Sequence, residues 1–362
     1  MNCDSIHMDK RLSSKVLMIG DYAGPDATGG MASVIQSYRC CIPELNYIHS
    51  WRPSSSRIYK LLILLKACAV VICKLSFDRK IKIVHIHTCS GDSFWRSAWF
   101  VNLAKMYGKK IVLHMHGGRF KEFYEESSRK DRITSVIARS DRFVVLTQMW
   151  KSWFESIGVR EESLRVLNNI IMPPLYTEVP DSDGKLHLLF LGTVIKEKGI
   201  YDLMDTIIRN KEEWKDRVVL KIGGELKDGQ LLRMIEDNGL EPMVEYCGYV
   251  TGKNKVDILD WCDVFVLPSY FEGLPVSVLE AMSHSKAIIA ARVGGIPSVV
   301  KDNENGILVE PGDVDALSAA VGAFLREPQL VSSYGRQGSL IARDYMPGKV
   351  IEDLAGIYLS LM

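Results

Sequence analysis

Two glutamates eight positions apart, Glu272 and Glu280, are the first residues of this chain whose types and spacing could do chemistry. They stand in VFVLPSYFEGLPVSVLEAM (264–282): Glu272 in a loop after an apolar run, Glu280 in a helix expected to begin at 274–275, with Pro275 in its first turn. About one to two helical turns separate that start from Glu280, so both carboxylates can face one cleft. A carboxylate accepts paired hydrogen bonds from adjacent hydroxyls, which suits a polyhydroxylated ligand. Gly273 lets the backbone come close, and the helix N-terminus offers N–H groups to an anion. In FLGTVIKEKG (190–199) a strand ends at Gly192, and Lys196 and Lys198 follow before a helix, placed to neutralise a diphosphate. Alone, the same lysines would be an ordinary solvated pair. HMHGGRF (114–120) closes a strand with His114 and His116 on one side, His116 nearer the carboxyl end. His85 and His87 read as core residues. GDYAGPDATGGMASVI (20–35) runs from a strand into a glycine loop that lacks G-x-G-x-x-G.

The elements that must carry these residues are short β-branched runs alternating with helical stretches. Runs at 16–20, 81–87, 110–116 and 142–147 precede a gap; runs at 186–192, 218–224, 244–250, 264–269, 287–295 and 306–310 follow it. Continuous apolar strands are covered on both faces, as in parallel sheets built from βαβ units. The pattern breaks in the proline-rich stretch 169–185, which predicts an α/β chain of two doubly wound Rossmann-like domains, 1–176 and 185–346, facing across a cleft. The apolar positions of 347–362 predict a final helix that packs back on the first domain. Residues 121–140 read as one charged helix. Asp181-Ser182-Asp183 has a D-x-D form but no strand before it, and reads as solvated linker, not a metal site.

Composition narrows the class. The chain has 362 residues, 47% hydrophobic and 25% charged, and 45 Lys+Arg against 44 Asp+Glu leave a net charge of +1, which argues against binding to nucleic acid through overall charge and leaves only local patches open. Eight cysteines without C-x-x-C spacing read as reduced, buried thiols. Residues 1–14 carry no apolar stretch of a secretory signal, which predicts a cytoplasmic protein. The segment IYKLLILLKACAVVICKL (58–75) is interrupted by Lys60, Lys66 and Lys74 and reads as a buried or interfacial helix rather than a span. With Arg52, Arg57, Arg79, Lys80, Lys82, Arg119 and Lys121 around it, it predicts contact with an anionic membrane at its cytoplasmic face.

Taken together, the motifs resemble the retaining glycosyltransferases of family 4, which have the GT-B fold. EGLPVSVLE (272–280) is similar to that family's E-x(7)-E signature and FLGTVIKEKG to its glycine–loop–EKG segment. VLNNIIMP (166–173) is similar to its V-I-P-N-G turn, Gly29-Gly30 to its first glycine loop, HMHGG to its strand-end histidine, and 248–275 to its run from a G-x-V loop to the catalytic loop. The resemblance covers nearly the whole chain, most firmly 186–310. It implies that Glu272 binds hydroxyls of a donor sugar and that Gly273, Leu274, Pro275 and Val276 approach sugar and diphosphate through their backbone. Glu280 would take the ribose hydroxyls, Lys198 the diphosphate, and Tyr249 and Val250 the base, with Gly192 and Thr193 lining the donor site. His116 and Gly30 would lie near the reacting centre. Thr193 stands where the family often has an arginine, leaving that diphosphate contact to Lys196, and of the P-N-G turn only Asn169 carries over. The implied reaction moves a sugar from a nucleotide-diphosphate donor to a hydroxyl of a glycan or lipid-linked glycan, with no metal and no cofactor. Alternatives are a GT-B nucleotide-sugar epimerase, which needs an acid/base set not evident here, and a non-catalytic binding protein of the same fold. A nicotinamide-dependent oxidoreductase is weakened by the missing glycine fingerprint.

Overall fold

The strands most continuous in apolar residues become the sheet centres, and the least apolar become the edges. The computed structural model describes residues 8–24, 27, 29–42, 44–174 and 183–362. Its contacts divide the chain into two units, Met1–Met172 with Tyr345–Met362, and Pro173–Asp344. Each unit is built on one six-stranded, all-parallel sheet with helices between the strands.

In the first unit the strands are β1 (Val16–Asp21), β2 (Asn46–Trp51), β3 (Ile83–Thr88), β4 (Lys110–Met115), β5 (Arg142–Val145) and β6 (Leu164–Val166), in spatial order β2-β1-β3-β4-β5-β6. The second unit has β7 (Leu186–Leu191), β8 (Val218–Gly223), β9 (Val244–Tyr246), β10 (Val264–Leu267), β11 (Ala287–Ala291) and β12 (Gly306–Val309), in order β12-β11-β10-β7-β8-β9. Both are doubly wound. The second follows the 3-2-1-4-5-6 order, so its strand order reverses between β7 and β10, and ligands of such sheets bind beyond the carboxyl ends at that reversal. In the first unit the reversal falls between β1 and β3.

Several expectations need correction. The sequence pattern omits β2 and β6, which are edge strands: NYIHSW carries Asn46, His49 and Ser50 and is buried only at Ile48 and Ser50, and LRV is only three residues long. The run at 244–250 is a strand only over Val244–Tyr246. The charged stretch 121–140 is two helices, Phe120–Glu125 and Lys130–Ala138, separated around Ser127-Ser128. The helix after β10 starts at Val276, with Pro275 as its N-cap rather than in its first turn, since a proline fits the extended backbone found there. Of the cysteines, Cys41 and Cys262 are buried but Cys40 and Cys73 are exposed; all the described ones are free thiols. Asp181 and Ser182 lie outside the described residues.

The last helix, Pro347–Leu359, belongs to the first unit. Val350, Leu354 and Tyr358 are fully buried along one stripe, and the Tyr358 hydroxyl lies 2.6 Å from His85 Nδ1 on β3. Ile171 N donates to Tyr345 O, so the chain leaves this unit and re-enters it at adjoining points. Among the described residues, no helix is long and apolar enough to cross a membrane.

Candidate active site

The strand reversal of the second unit brings its chemical residues together. Lys198 follows β7 in a short 3-10 turn, Lys196–Lys198, and Glu272 follows β10. Lys198 Nζ donates to Glu272 Oε1 at 2.6 Å, and the buried Ser269 Oγ donates to the same oxygen at 2.8 Å. The Glu272 side chain is only 8% exposed and that of Lys198 28%, so the pair is largely shielded from water yet open on one side. Backbone contacts hold both loops in register: Tyr270 N donates to Glu197 O at 2.9 Å and Gly295 N to Gly273 O at 2.7 Å.

Two glycines make this closeness possible. At Gly199 (φ +70°) a β-carbon would sit 2.0 Å from Pro268 O, and at Gly294 (φ +51°) one would sit 1.6 Å from Glu272 O. Both backbones are left-handed, and neither position has room for a side chain.

Glu280 faces a second cation. Lys255, in the first turn of the helix Gly252–Trp261, places Nζ 2.6 Å from Oε1 and 2.5 Å from Oε2 of Glu280. Tyr249, half-exposed, lies close enough for the carboxylates of Glu225 and Glu280 to add to the burial that pushes its hydroxyl pKa up. Glu272, in the loop after β10, and Glu280, in the helix that follows that loop, are each paired with a lysine of their own. Gly192 N donates to Gly223 O and Val194 N to Glu225 O, so the loop holding Gly192 and Thr193 extends the line from β7 toward β8. Val250 is half-buried beside Gly223, whereas Lys196 is exposed and its charge acts on Asp202. Gly273, Leu274, Pro275 and Val276 are buried and lead into the helix Val276–Ser283, which has no side-chain cap.

In the first unit His116 directly follows β4, half-buried, with Nε2 2.7 Å from Nδ1 of the buried His87. It is one of four imidazoles lining one face of β3 and β4. His85 Nε2 lies 3.2 Å from His114 Nδ1, and the His85 and His87 rings stack at 4.5 Å. Burial holds the pKa of His85 and His116 down at about 3, Asn169 opposing this at His116, and drives those of His87 and His114 well below the usual range. His85, His87 and His114 are the group among the described residues that could hold a metal ion, with donor atoms within 4.8 Å of one another. Their rings lie side by side rather than converging, and four of their six nitrogens are already engaged with Tyr358, His116 and one another. Gly30 opens the helix Gly30–Cys41, and nothing lies within 4 Å of where its side chain would be.

Sequence reading missed Lys255 and Ser269; it took His87 as a core residue, and His87 is buried, but its pairing with His116 was not foreseen. The only trace of Lys255 was a lysine three residues after Gly252; that of His87 was the same-face spacing His85-x-His87.

Residues 177–340 match the family described as Glycosyl transferases group 1, a segment inside the second unit. A Salmonella typhimurium protein, WcaL, named for colanic acid biosynthesis, is 24% identical over 340 residues, covering 90% of this chain and 82% of its own length. The amylovoran biosynthesis glycosyltransferase AmsK of Erwinia amylovora is 24% identical over 225 residues, 60% of this chain and 55% of AmsK. The crystal structure of HepE from Anabaena, in complex with UDP and glucose, superposes with a TM-score of 0.73 at 17% identity, covering 96% of this chain and all of HepE. These findings support a GT-B glycosyltransferase.

Proposed function

We propose that this glycosyltransferase acts in surface-polysaccharide synthesis as a retaining enzyme of the family 4 type, moving a sugar from a nucleotide-diphosphate donor to a hydroxyl of a glycan or lipid-linked glycan. The observation that carries the reading is the Lys198–Glu272 pair at the β7/β10 reversal. A donor's diphosphate competes for the ammonium of Lys198, and the freed carboxylate of Glu272 takes the sugar hydroxyls. Glu280, paired with Lys255, lies one loop away for the ribose hydroxyls, with Tyr249 beside it for the base. The names of WcaL and AmsK support the polysaccharide setting, and the UDP and glucose bound by HepE support a nucleotide sugar as donor.

In the transfer the bond from the sugar's anomeric carbon to the diphosphate oxygen breaks, and a bond to the acceptor oxygen forms on the same face. The acceptor's proton passes to the departing phosphate oxygen. Charge grows on the leaving group, where Lys198 and the uncapped helix start at Val276 stabilise it. His116, uncharged at neutral pH, serves as a hydrogen-bonding group and not as a cation. No step calls for a metal, so turnover should persist in excess EDTA.

The test is turnover of purified protein with a nucleotide sugar and acceptor. Lys198→Ala and Glu272→Gln should each lower kcat by about 100-fold or more, the range seen when one preorganised charge-stabilising group is removed. Turnover within a few-fold of the unaltered chain in both variants would remove the site assignment. A product of inverted anomeric configuration would remove retention, and epimerised free sugar formed without acceptor would replace transfer altogether.

A further inference from the structure

We propose that the helix Arg57–Phe77 is a docking surface for an anionic lipid bilayer, lying flat on the membrane with its outer apolar stripe in the headgroup region. This helix is apolar on two opposite faces. Its inner stripe repeats every fourth residue, Ile63, Ala67, Val71 and Leu75, all buried. That side packs on β2 and the sheet behind it. The outer stripe, Ile58, Leu61, Leu62, Leu65 and Ile72, stays 41–73% exposed along about four turns. A helix that is hydrophobic all round is ordinarily covered on all sides, and a large exposed apolar patch marks an interaction surface. The helix Asp92–Met106 packs beside it and exposes Trp99 and Met106, at 71% and 82%. Ser76 Oγ lies 3.0 Å from Tyr107 Oη, where the two helices end.

Charge selects the occupant. Residues 52–82 contain eight Lys+Arg, namely Arg52, Arg57, Lys60, Lys66, Lys74, Arg79, Lys80 and Lys82, against one acid, Asp78. Such an apolar stripe flanked by cations fits a surface offering acyl chains beneath negative headgroups. A second copy of this chain would set like charges against like. The helix does not cross the bilayer, because lysines interrupt its apolar runs and it is anchored to the sheet by the inner stripe.

The experiment mixes the full chain with sedimenting vesicles, either of phosphatidylcholine alone or with added phosphatidylglycerol. Binding to the anionic vesicles should be at least about 10-fold tighter and should weaken as salt rises. The double variant Leu61→Glu/Leu65→Glu should lose about 10-fold or more of that binding with an unchanged Tm, both side chains being exposed in the free protein. Lys66→Glu/Lys80→Glu should lose the preference for anionic vesicles. Equal binding to both vesicle types, or undiminished binding by the leucine variant, overturns the proposal. So does a concentration-dependent dimer that the leucine variant abolishes in a protein that ignores vesicles. Donor turnover plays no part in the readout, so the docking and the catalytic reading can fail separately.

Discussion

At the scale of single residues, the histidines of β3 and β4 set a pH limit on the fold. A free imidazole titrates near 6.5, while His85 and His116 stay neutral in the folded chain down to about 3. Between those values the unfolded chain binds more protons, so the stability they contribute is whole above about 6.5 and is lost as pH falls toward 3. From pH 7 to 5 the loss is roughly 2 kcal/mol per imidazole, whatever the folded value below about 4. Urea unfolding at pH 7, 6 and 5 should therefore show a falling midpoint, and His114→Asn should flatten the slope. A midpoint constant over that range would mean that the imidazoles charge without unfolding the unit. Sequence spacing exposed His114 and His116 as same-face neighbours, Lys198 and Glu272 as groups of strand-end loops, and Glu280 as a group of the helix that follows. It could not expose His87 against His116 or Lys255 against Glu280, because those pairs form between elements brought together only by the sheet.

At the scale of elements, loop closeness rather than side-chain identity decides whether Glu272 is placed. Gly294 and Gly252 both have left-handed backbones, so alanine at either costs about 1–2 kcal/mol in conformation. They differ in their surroundings. The Gly252 side-chain position is empty to 4 Å, whereas that at Gly294 collides with Glu272 O at 1.6 Å. Gly252→Ala should thus keep turnover within a few-fold, while Gly294→Ala should displace the loop and lower kcat by about 100-fold beyond its effect on Tm. Equal effects would show that the loop after β11 does not position Glu272. The same contrast explains what was legible at this scale. Fully buried central strands such as β3, β7 and β11 announce themselves by unbroken apolar runs, whereas edge strands β2 and β6 need only one covered face and leave no such run. The glycines after β8 and β11 stood in those runs, yet nothing in their spacing tells which carbonyl each approaches.

At the scale of the whole molecule, each unit owns its core, and the last helix belongs to the first although it follows the second in sequence. The apolar stripe of 347–362 was readable, but its partner was not, because any half-covered sheet could accept it. The contacts are specific: Tyr358 meets His85, the Lys15 ammonium reaches Met362, and Arg142 donates to Ser360. Leu354 is fully buried, so Leu354→Ala should cost about 2–5 kcal/mol through lost transfer energy and the cavity left behind. That cost falls on one unit. Amide hydrogen exchange should accelerate in β3 and β4 while β7 and β10 keep their protection, because local stability follows the core that a strand shares. A saturating nucleotide sugar should do the reverse, slowing exchange beyond the ends of β7 and β10 by mass action and leaving β4 unchanged in the Leu354 variant. If Leu354→Ala instead speeds exchange equally in all four strands, the two cores unfold as one, and the division of labour between a ligand-gripping unit and a helix-clamped one has to be given up.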